Sequence, residues 1–447
     1  MLASAWSRCL TSFLLAASVV GCGTGFYGDG TTSLGPTIGD GDFGDGDGDT
    51  GDSDGGTGTT TAAPTRSVDV LFVVDNSGSM GEEQISLALA ADVLIAELEA
   101  ADADYRIGVT TTDSGNPWCP SGTTTPEAGN LVLSSCKSRL GDFVFNNGEV
   151  DVGDIACNDI CLLDNTELQI QPTTTDVDPV ASPRPWVQSI DGQTNLPPGT
   201  NVAEALRCFL PQGINGCGFE SQLESMYLAL IRAQSADEAS YGFTRPDAVL
   251  AVVFLTDEAD CSYNTSFAEI FEQDGNKVFW SDPTDSFPTS AVCWNAGVRC
   301  TGDPSNYTSC DPINKDVNGQ EGVSDANAVL HPLSRYIGLL DGFQQVKQAL
   351  DPNREIVVAV IGGVQSDGTP FYADVGGTEP QFQYTFGIGP GCEAANPNDP
   401  GSPTQAVPPV RMREVSDTFS PGSLYSICDS NYASPMSEVA QKIVAQF

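Results

Sequence analysis

Positive charge is scarce in this chain: its 447 residues hold 18 Lys and Arg against 60 Asp and Glu, a formal net charge of −42. Nucleic acid and anionic lipid headgroups are bound by Lys and Arg neutralising phosphate, so neither is expected as a partner. Histidine is almost missing too, since His331 stands alone. It precedes an apolar helical pattern and reads as an exposed or helix-capping residue. No Cys-x-x-Cys pair occurs, and Cys157 and Cys161 form only a Cys-x-x-x-Cys, so a zinc site has little support. Ser77 and Ser79 lie outside any Gly-x-Ser-x-Gly elbow and far in sequence from His331. Nucleophilic hydrolysis is therefore not expected. Asp257 and Asp260 could pair as glycosidase carboxylates, but 60 acidic residues make such pairs common by chance. The chain reads as a non-enzyme.

Cysteine, by contrast, is plentiful, with 14 in all. Arg8 precedes the apolar segment Cys9 to Val20, which is too short to span a bilayer and reads as a signal-peptide core. The segment ends in Val19-Val20-Gly21-Cys22, which resembles the lipobox of bacterial lipoproteins. That resemblance implies that residues 1–21 are removed and Cys22 is lipidated, with ordinary secretion as the alternative. Gly23 follows the cysteine where Asp would imply retention in the inner membrane, so the expected location is the outer membrane or cell surface. Twelve cysteines remain: Cys119, Cys136, Cys157, Cys161, Cys208, Cys217, Cys261, Cys293, Cys300, Cys310, Cys392 and Cys428. An even number in an exported chain reads as disulfides, with the pairing left open.

Residues 22–66 are Asp, Gly and Thr with almost no large apolar side chains, and cannot offset their ordering entropy. They read as a disordered acidic tether. Asp45, Asp47 and Asp49 share the spacing of a calcium loop, but Thr50 and Gly56 stand where that loop needs glycine and glutamate.

Ordered structure is expected from about Ser67. Val68 and Val70 to Val74 leave no polar face, as in a central parallel strand covered by helices on both sides. Asp75, Ser77 and Ser79 close that strand. Alternate spacing can aim their oxygens at one point, with Gly78 permitting the turn. Oxygen ligands suit a hard divalent cation. A turn capping the next helix is the alternative. In that helix Ile85, Leu89, Val93 and Ala96 are expected to form the buried face, broadened by Leu87, Leu94 and Leu98. Tyr105 to Thr112 reads as a strand, Gly218 to Ala233 as a helix, and Ala248 to Leu255 as a second buried strand ending at Thr256-Asp257. Leu333 to Leu350 reads as a helix, Ile356 to Ile361 as a third buried strand, Val410 to Phe419 as a short helix, Ser423 to Cys428 as an edge strand and Pro435 to Phe447 as a closing helix. Two stretches break this alternation, at about 114–216 and 261–330, and read as cysteine-bearing insertions. The first is expected to be held by disulfides without a core of its own. The whole is an α/β fold with a doubly wound, mostly parallel sheet, in which ligands bind beyond the carboxyl ends of the strands.

Asp75-x-Ser77-x-Ser79 after one buried strand, with Asp257 after another, resembles the von Willebrand factor A domain, also used by integrin inserted domains. The resemblance covers residues 67–447 between the insertions. It implies a metal-ion-dependent adhesion site in which Asp75, Ser77, Ser79 and Asp257 hold Mg2+, or Mn2+ or Ca2+, and a threonine from a further loop completes the set. Pro198-Gly199-Thr200-Asn201 resembles that loop, which nominates Thr200. Position in the fold points instead to Ile214-Asn215, just before Gly216 to Glu220. Three arrangements stay open: Thr200 folds back, Asn215 substitutes, or water fills the position. The implied function is an envelope-anchored binding or adhesion module for a protein or polysaccharide ligand, a carboxylate being the group that would complete the cation's shell. The alternative is a structural surface lipoprotein whose site has degenerated.

Overall fold

The computed structural model describes residues 65–119, 126–375, 380–395 and 403–447. The signal segment, Cys22 and the tether up to residue 64 lie outside the described residues.

Strand β1, Ser67–Val74, is buried at every position. A run with no polar face needs cover on both sides and a neighbour at each edge. It has all four. Parallel neighbours are β2, Asp104–Thr111, and β5, Val249–Leu255, which carries the long apolar run. Between these in sequence come β3, Val187–Ile190, and β4, Gln193–Thr194; after them come β6, Val357–Gly362, and β7, Leu424–Ser426. The sheet order is β7-β6-β5-β1-β2-β3-β4, parallel from β7 to β2 and antiparallel at β3 and β4. The fold is therefore α/β with a mostly parallel central sheet.

Helices cover both faces. On one face, Val68, Val70, Phe72 and Val74 meet α1, Gly81–Ala100, α2, Val202–Phe209, and α6, Ala433–Val444. On the other, Leu71 and Val73 meet α3, Gln222–Arg232, α4, Leu333–Leu350, and α5, Val410–Phe419. The buried side of α1 differs from the expected one. Leu87, Ala88, Ala91, Leu94, Ile95 and Leu98 are buried, whereas Leu89 is 45% exposed. The helix is apolar nearly all round, so its sequence holds no strong stripe, and the sheet selects the face that carries Leu87, Leu94 and Leu98. Helix α3 starts at Gln222 rather than Gly218 because Glu220 and Ser221 are engaged elsewhere: Cys261 N donates to Glu220 O at 2.6 Å and Ser221 N to Thr112 O at 2.9 Å.

All twelve cysteines pair, as Cys119–Cys217, Cys136–Cys157, Cys161–Cys208, Cys261–Cys293, Cys300–Cys310 and Cys392–Cys428. Such a set belongs to an oxidising compartment. The first insertion has no separate core, since Phe143, Ala156, Cys157 and Leu168 join the cluster around α1. It also supplies β3 and β4, whose short polar sequences gave no strand signal. The second insertion packs Phe271, Trp280, Val292 and Leu330 into a separate cluster that also takes in Cys217 and Phe219. Among the described residues no helix is long and apolar enough to cross a membrane.

A buried ion pair fixes the amino end of the sheet. Asp69, fully buried on β1, accepts from the Arg245 backbone N at 2.6 Å and from Nε at 2.9 Å. The guanidinium also donates to Val68 O and Asp104 O, tying three segments together. Removing one partner strands the other charge in the core. Asp69→Ala is expected to cost about 3–5 kcal/mol, read as a lowered chemical-unfolding midpoint with the disulfides intact; an unchanged midpoint would refute that role for the pair.

Candidate metal centre

The sheet's hydrogen-bond ladder runs one residue past the ends of β1 and β5. Asp75 N donates to Leu255 O at 2.9 Å, and Thr256 N to Ile361 O at 3.1 Å. Asp75 and Thr256 are thus held on the sheet itself, at its carboxyl edge. The Asp75 carboxylate is fully buried, with Thr256 Oγ1 donating to one oxygen at 2.6 Å and Ser77 N to the other at 2.8 Å. Ser77 and Ser79 Oγ lie 3.4 Å apart, and the Ser79 side chain lies beside the Asp257 carboxyl, where it favours the ionised form. The structure brings Asp75, Ser77, Ser79 and Asp257 together. Helix α1 has no side-chain cap at its start, so the serine turn does not serve as a helix cap.

Thr200 is engaged elsewhere. Its hydroxyl donates to Glu167 O at 3.1 Å, on the turn before α2, where Asn201 caps the helix by accepting from Glu204 N. The loop beside Asp75 is 212–217, as position in the fold suggested. Gly216 N donates to Asn76 O at 2.8 Å, and a Cβ on Gly216 would lie 2.3 Å from Asn76 Oδ1. In that loop Ile214 is buried, and the Asn215 amide reaches Asp142 Oδ1 at 3.4 Å. No hydroxyl side chain stands between Gln212 and Cys217.

Sequence reasoning missed the residue that joins this loop to the motif. Gln84 is fully buried; its Nε2 donates to Asp75 O and to Gly213 O, both at 2.7 Å. Its Oε1 accepts from Gln212 N at 2.8 Å and Gly213 N at 3.1 Å, so the amide's hydrogen-bonding capacity is filled. Beside Glu82 and Glu83 in the first turn of α1, no local pattern marked it. Also missed were three carboxyls: Glu83 from the first turn of α1, Glu220 ahead of α3 and Glu258 next to Asp257, all buried.

These carboxyls crowd one low-dielectric edge. Burial raises Asp257 to about 7, reinforced by the Asp75 charge and partly offset by Ser79. Burial raises Glu83 to about 8, with Asp257 adding to it. Burial also lifts Glu220 and Glu258 well above the usual carboxylate range, with Asp75 repelling both. Several acceptor oxygens here have no protein donor: Asp257 Oδ1, Glu83 Oε2, Glu220 Oε1, Gln222 Oε1 and Asn76 Oδ1. Buried acceptors without donors are costly, and a cation or a proton would satisfy them. The converging donors are oxygens, which suits Mg2+, Mn2+ or Ca2+ over softer metals. Among the described residues no three His, Cys, Asp or Glu side chains converge as ligands, so a cation here would depend on the serine hydroxyls. With that condition, the residues fit the ion.

A scan against protein-family models and a search of curated proteins both return no match. Among solved structures, the pilus adhesin SpaC from Lactobacillus rhamnosus GG is similar over 85% of this chain, at 9% sequence identity and a TM-score of 0.31. The match spans 31% of the adhesin's length, and a likeness of that size carries no argument about fold or function.

A carboxyl whose folded pKa lies above its unfolded value of about 4 holds its proton more tightly in the native state. Stability from such a group is present at low pH and is lost as pH rises from about 4 through about 7 for Asp257 and about 8 for Glu83. In EDTA, the melting temperature is therefore expected to fall between mildly acidic and mildly alkaline buffer, and Asp257→Asn to flatten part of that slope. Thermal melts across the range check it, and a slope of opposite sign would overturn the assignment.

Proposed function

We propose that this chain is a von Willebrand factor A-like binding module, carried on the bacterial envelope by a lipidated Cys22 and an acidic tether. In this reading Asp75, Ser77, Ser79 and Asp257 hold Mg2+, or Mn2+ or Ca2+, at the carboxyl edge of the sheet. The observation that carries it is Asp257 Oδ1, buried and without a protein donor, on a carboxyl that lies beside Ser79 of the Asp75 turn.

The chain's own groups divide the work. Thr256 and the Ser77 amide orient Asp75 from behind, with the hydroxyls of buried Ser77 and exposed Ser79 3.4 Å apart beside it. Gln84 holds the 212–217 loop against the motif, so that loop sets the rim of the site. A bound divalent cation supplies an electrophilic centre with a position open to a partner's carboxylate. No bond is made or broken, and the module binds a protein or polysaccharide ligand without turnover. The net charge works against acidic partners at long range, but it is screened beyond about 8–10 Å at physiological salt, and coordination acts at contact.

One observation favours a second reading, a structural surface lipoprotein with a degenerate site. The loop at the rim offers Ile214 and Asn215 where the resemblance implies threonine, and the Thr200 hydroxyl is taken by Glu167 O. Titration calorimetry of the purified chain with Mg2+, Mn2+ and Ca2+ separates the two. Wild type is expected to bind one ion that Asp75→Ala no longer binds, with Thr200→Ala unchanged. If wild type binds none while remaining folded, the structural reading holds; if Asp75→Ala binds as well as wild type, the ion sits elsewhere, for instance in the tether.

A further inference from the structure

The first insertion sends a hairpin directly over the Asp75–Ser79 turn. Val144–Phe145 pairs antiparallel with Val150–Asp151, and Phe145 lies opposite Val150. Phe145 rests on Gly78, where an added Cβ would lie 3.1 Å from its ring; Val152 rests on Gly81, where a Cβ would lie 3.2 Å from Cγ2. Both glycines are thus seats for the hairpin. Its base is fixed to the 212–217 loop, with Ile214 N donating to Asp142 O at 2.7 Å. Yet the pair is left in solvent, Phe145 at 42% and Val150 at 40% exposed.

Scattered exposed apolar residues need no explanation. These two are cross-strand neighbours, anchored against the turn that carries Ser77 and Ser79. We infer that Phe145 and Val150 form a docking wall beside the cation position, and that the occupant is a protein segment bearing a carboxylate flanked by apolar and basic side chains. The inference rests on the cation-binding reading above. Aliphatic or aromatic side chains would cover both members of the pair, and interface cores are enriched in aromatic contacts. Charge complementarity supplies the basic residues. Glu149, Asp151 and Asp154 flank the pair in sequence at exposed positions, and no Lys, Arg or His occurs from residue 140 to 183. A polyanionic sugar chain would meet only like charge there.

The test pans a displayed random peptide library on the purified chain in Mg2+ and, separately, in EDTA, with polygalacturonate as the polysaccharide probe. Peptides recovered only in Mg2+ are expected to carry Asp or Glu beside apolar residues and Lys or Arg. A synthetic peptide of that set should bind Phe145→Ser/Val150→Ser about tenfold or more weakly, with Mg2+ affinity by calorimetry unchanged. Glu149→Lys/Asp151→Lys should weaken it as well, a second probe that leaves the apolar pair in place. Unchanged peptide affinity in both variants overturns the wall. Failure to recover such peptides overturns the protein partner, and binding of polygalacturonate would then assign the site to polysaccharide. Recovery that is equal in EDTA but lost in the double serine variant would sink the cation reading and leave the wall standing.

Discussion

The site depends on one buried carboxylate that cannot turn. Asp75 ends a strand flanked on both edges and covered on both faces, so its backbone is fixed by the sheet, and Thr256 and the Ser77 amide occupy one lone-pair direction on each carboxylate oxygen. Because Thr256 itself follows the adjacent strand and receives Gln222 Nε2 at 2.8 Å, orientation passes from α3 through β5 to β1. The serine turn is shaped by what it leaves from, not by helix capping. Gln84 then carries that registration to the 212–217 loop, with one hydrogen bond to Asp75 O and three to Gln212 and Gly213. Positional accuracy at the edge is therefore a property of the sheet, and the loops inherit it.

The same burial creates an electrostatic problem. Five carboxyls, those of Asp75, Glu83, Glu220, Asp257 and Glu258, sit in low dielectric near one another with no Lys or Arg hydrogen-bonded or ion-paired to any of them among the described contacts. Elsewhere this protein does pair its buried acids: Asp69 has Arg245 and Asp260 has Arg411 at 2.8 Å. The contrast is informative. Where charge serves the fold it is neutralised by arginine, and at the carboxyl edge it is left for protons or a cation. An unpaired buried charge is tolerated only with such a counterpart.

Much of this was legible from the residues. The three long apolar runs became the central strands because an all-apolar run of that length has no other stable place, and Val410–Phe419 formed the helix its spacing implied. Asp75, Ser77, Ser79 and Asp257 came together because each sits at or just beyond a strand end that the runs already located. What was missed shares a cause. Glu83, Glu220, Glu258 and Gln84 are polar residues whose burial is set by tertiary packing, and among 60 acids no local pattern marks the buried few. The face of α1 was misassigned for the converse reason, since apolar residues lie on most sides of that helix and leave the choice to its neighbours. Strands β3 and β4 lie inside an insertion and pair only because β2 offers a free edge.

Thr200 shows the limit of reading a loop by its local motif. Gly199-Thr200-Asn201 does precede a helix, and Asn201 does cap it, so the local structure is as the letters imply. But Cys161–Cys208 ties that helix to an earlier part of the first insertion, and the chain must still travel through Pro211 before it meets Gln84. The segment that arrives at the motif is 212–217, pinned on one side by Cys119–Cys217 and on the other by Asp142. Both anchors belong to the insertion, as does the hairpin seated on Gly78 and Gly81. The sheet thus supplies the acidic and hydroxyl ligand candidates, while the insertion supplies the rim and the wall. The two are joined through the sheet itself, where β3 of the insertion pairs with β2, while the disulfides Cys119–Cys217, Cys136–Cys157 and Cys161–Cys208 brace the insertion from within.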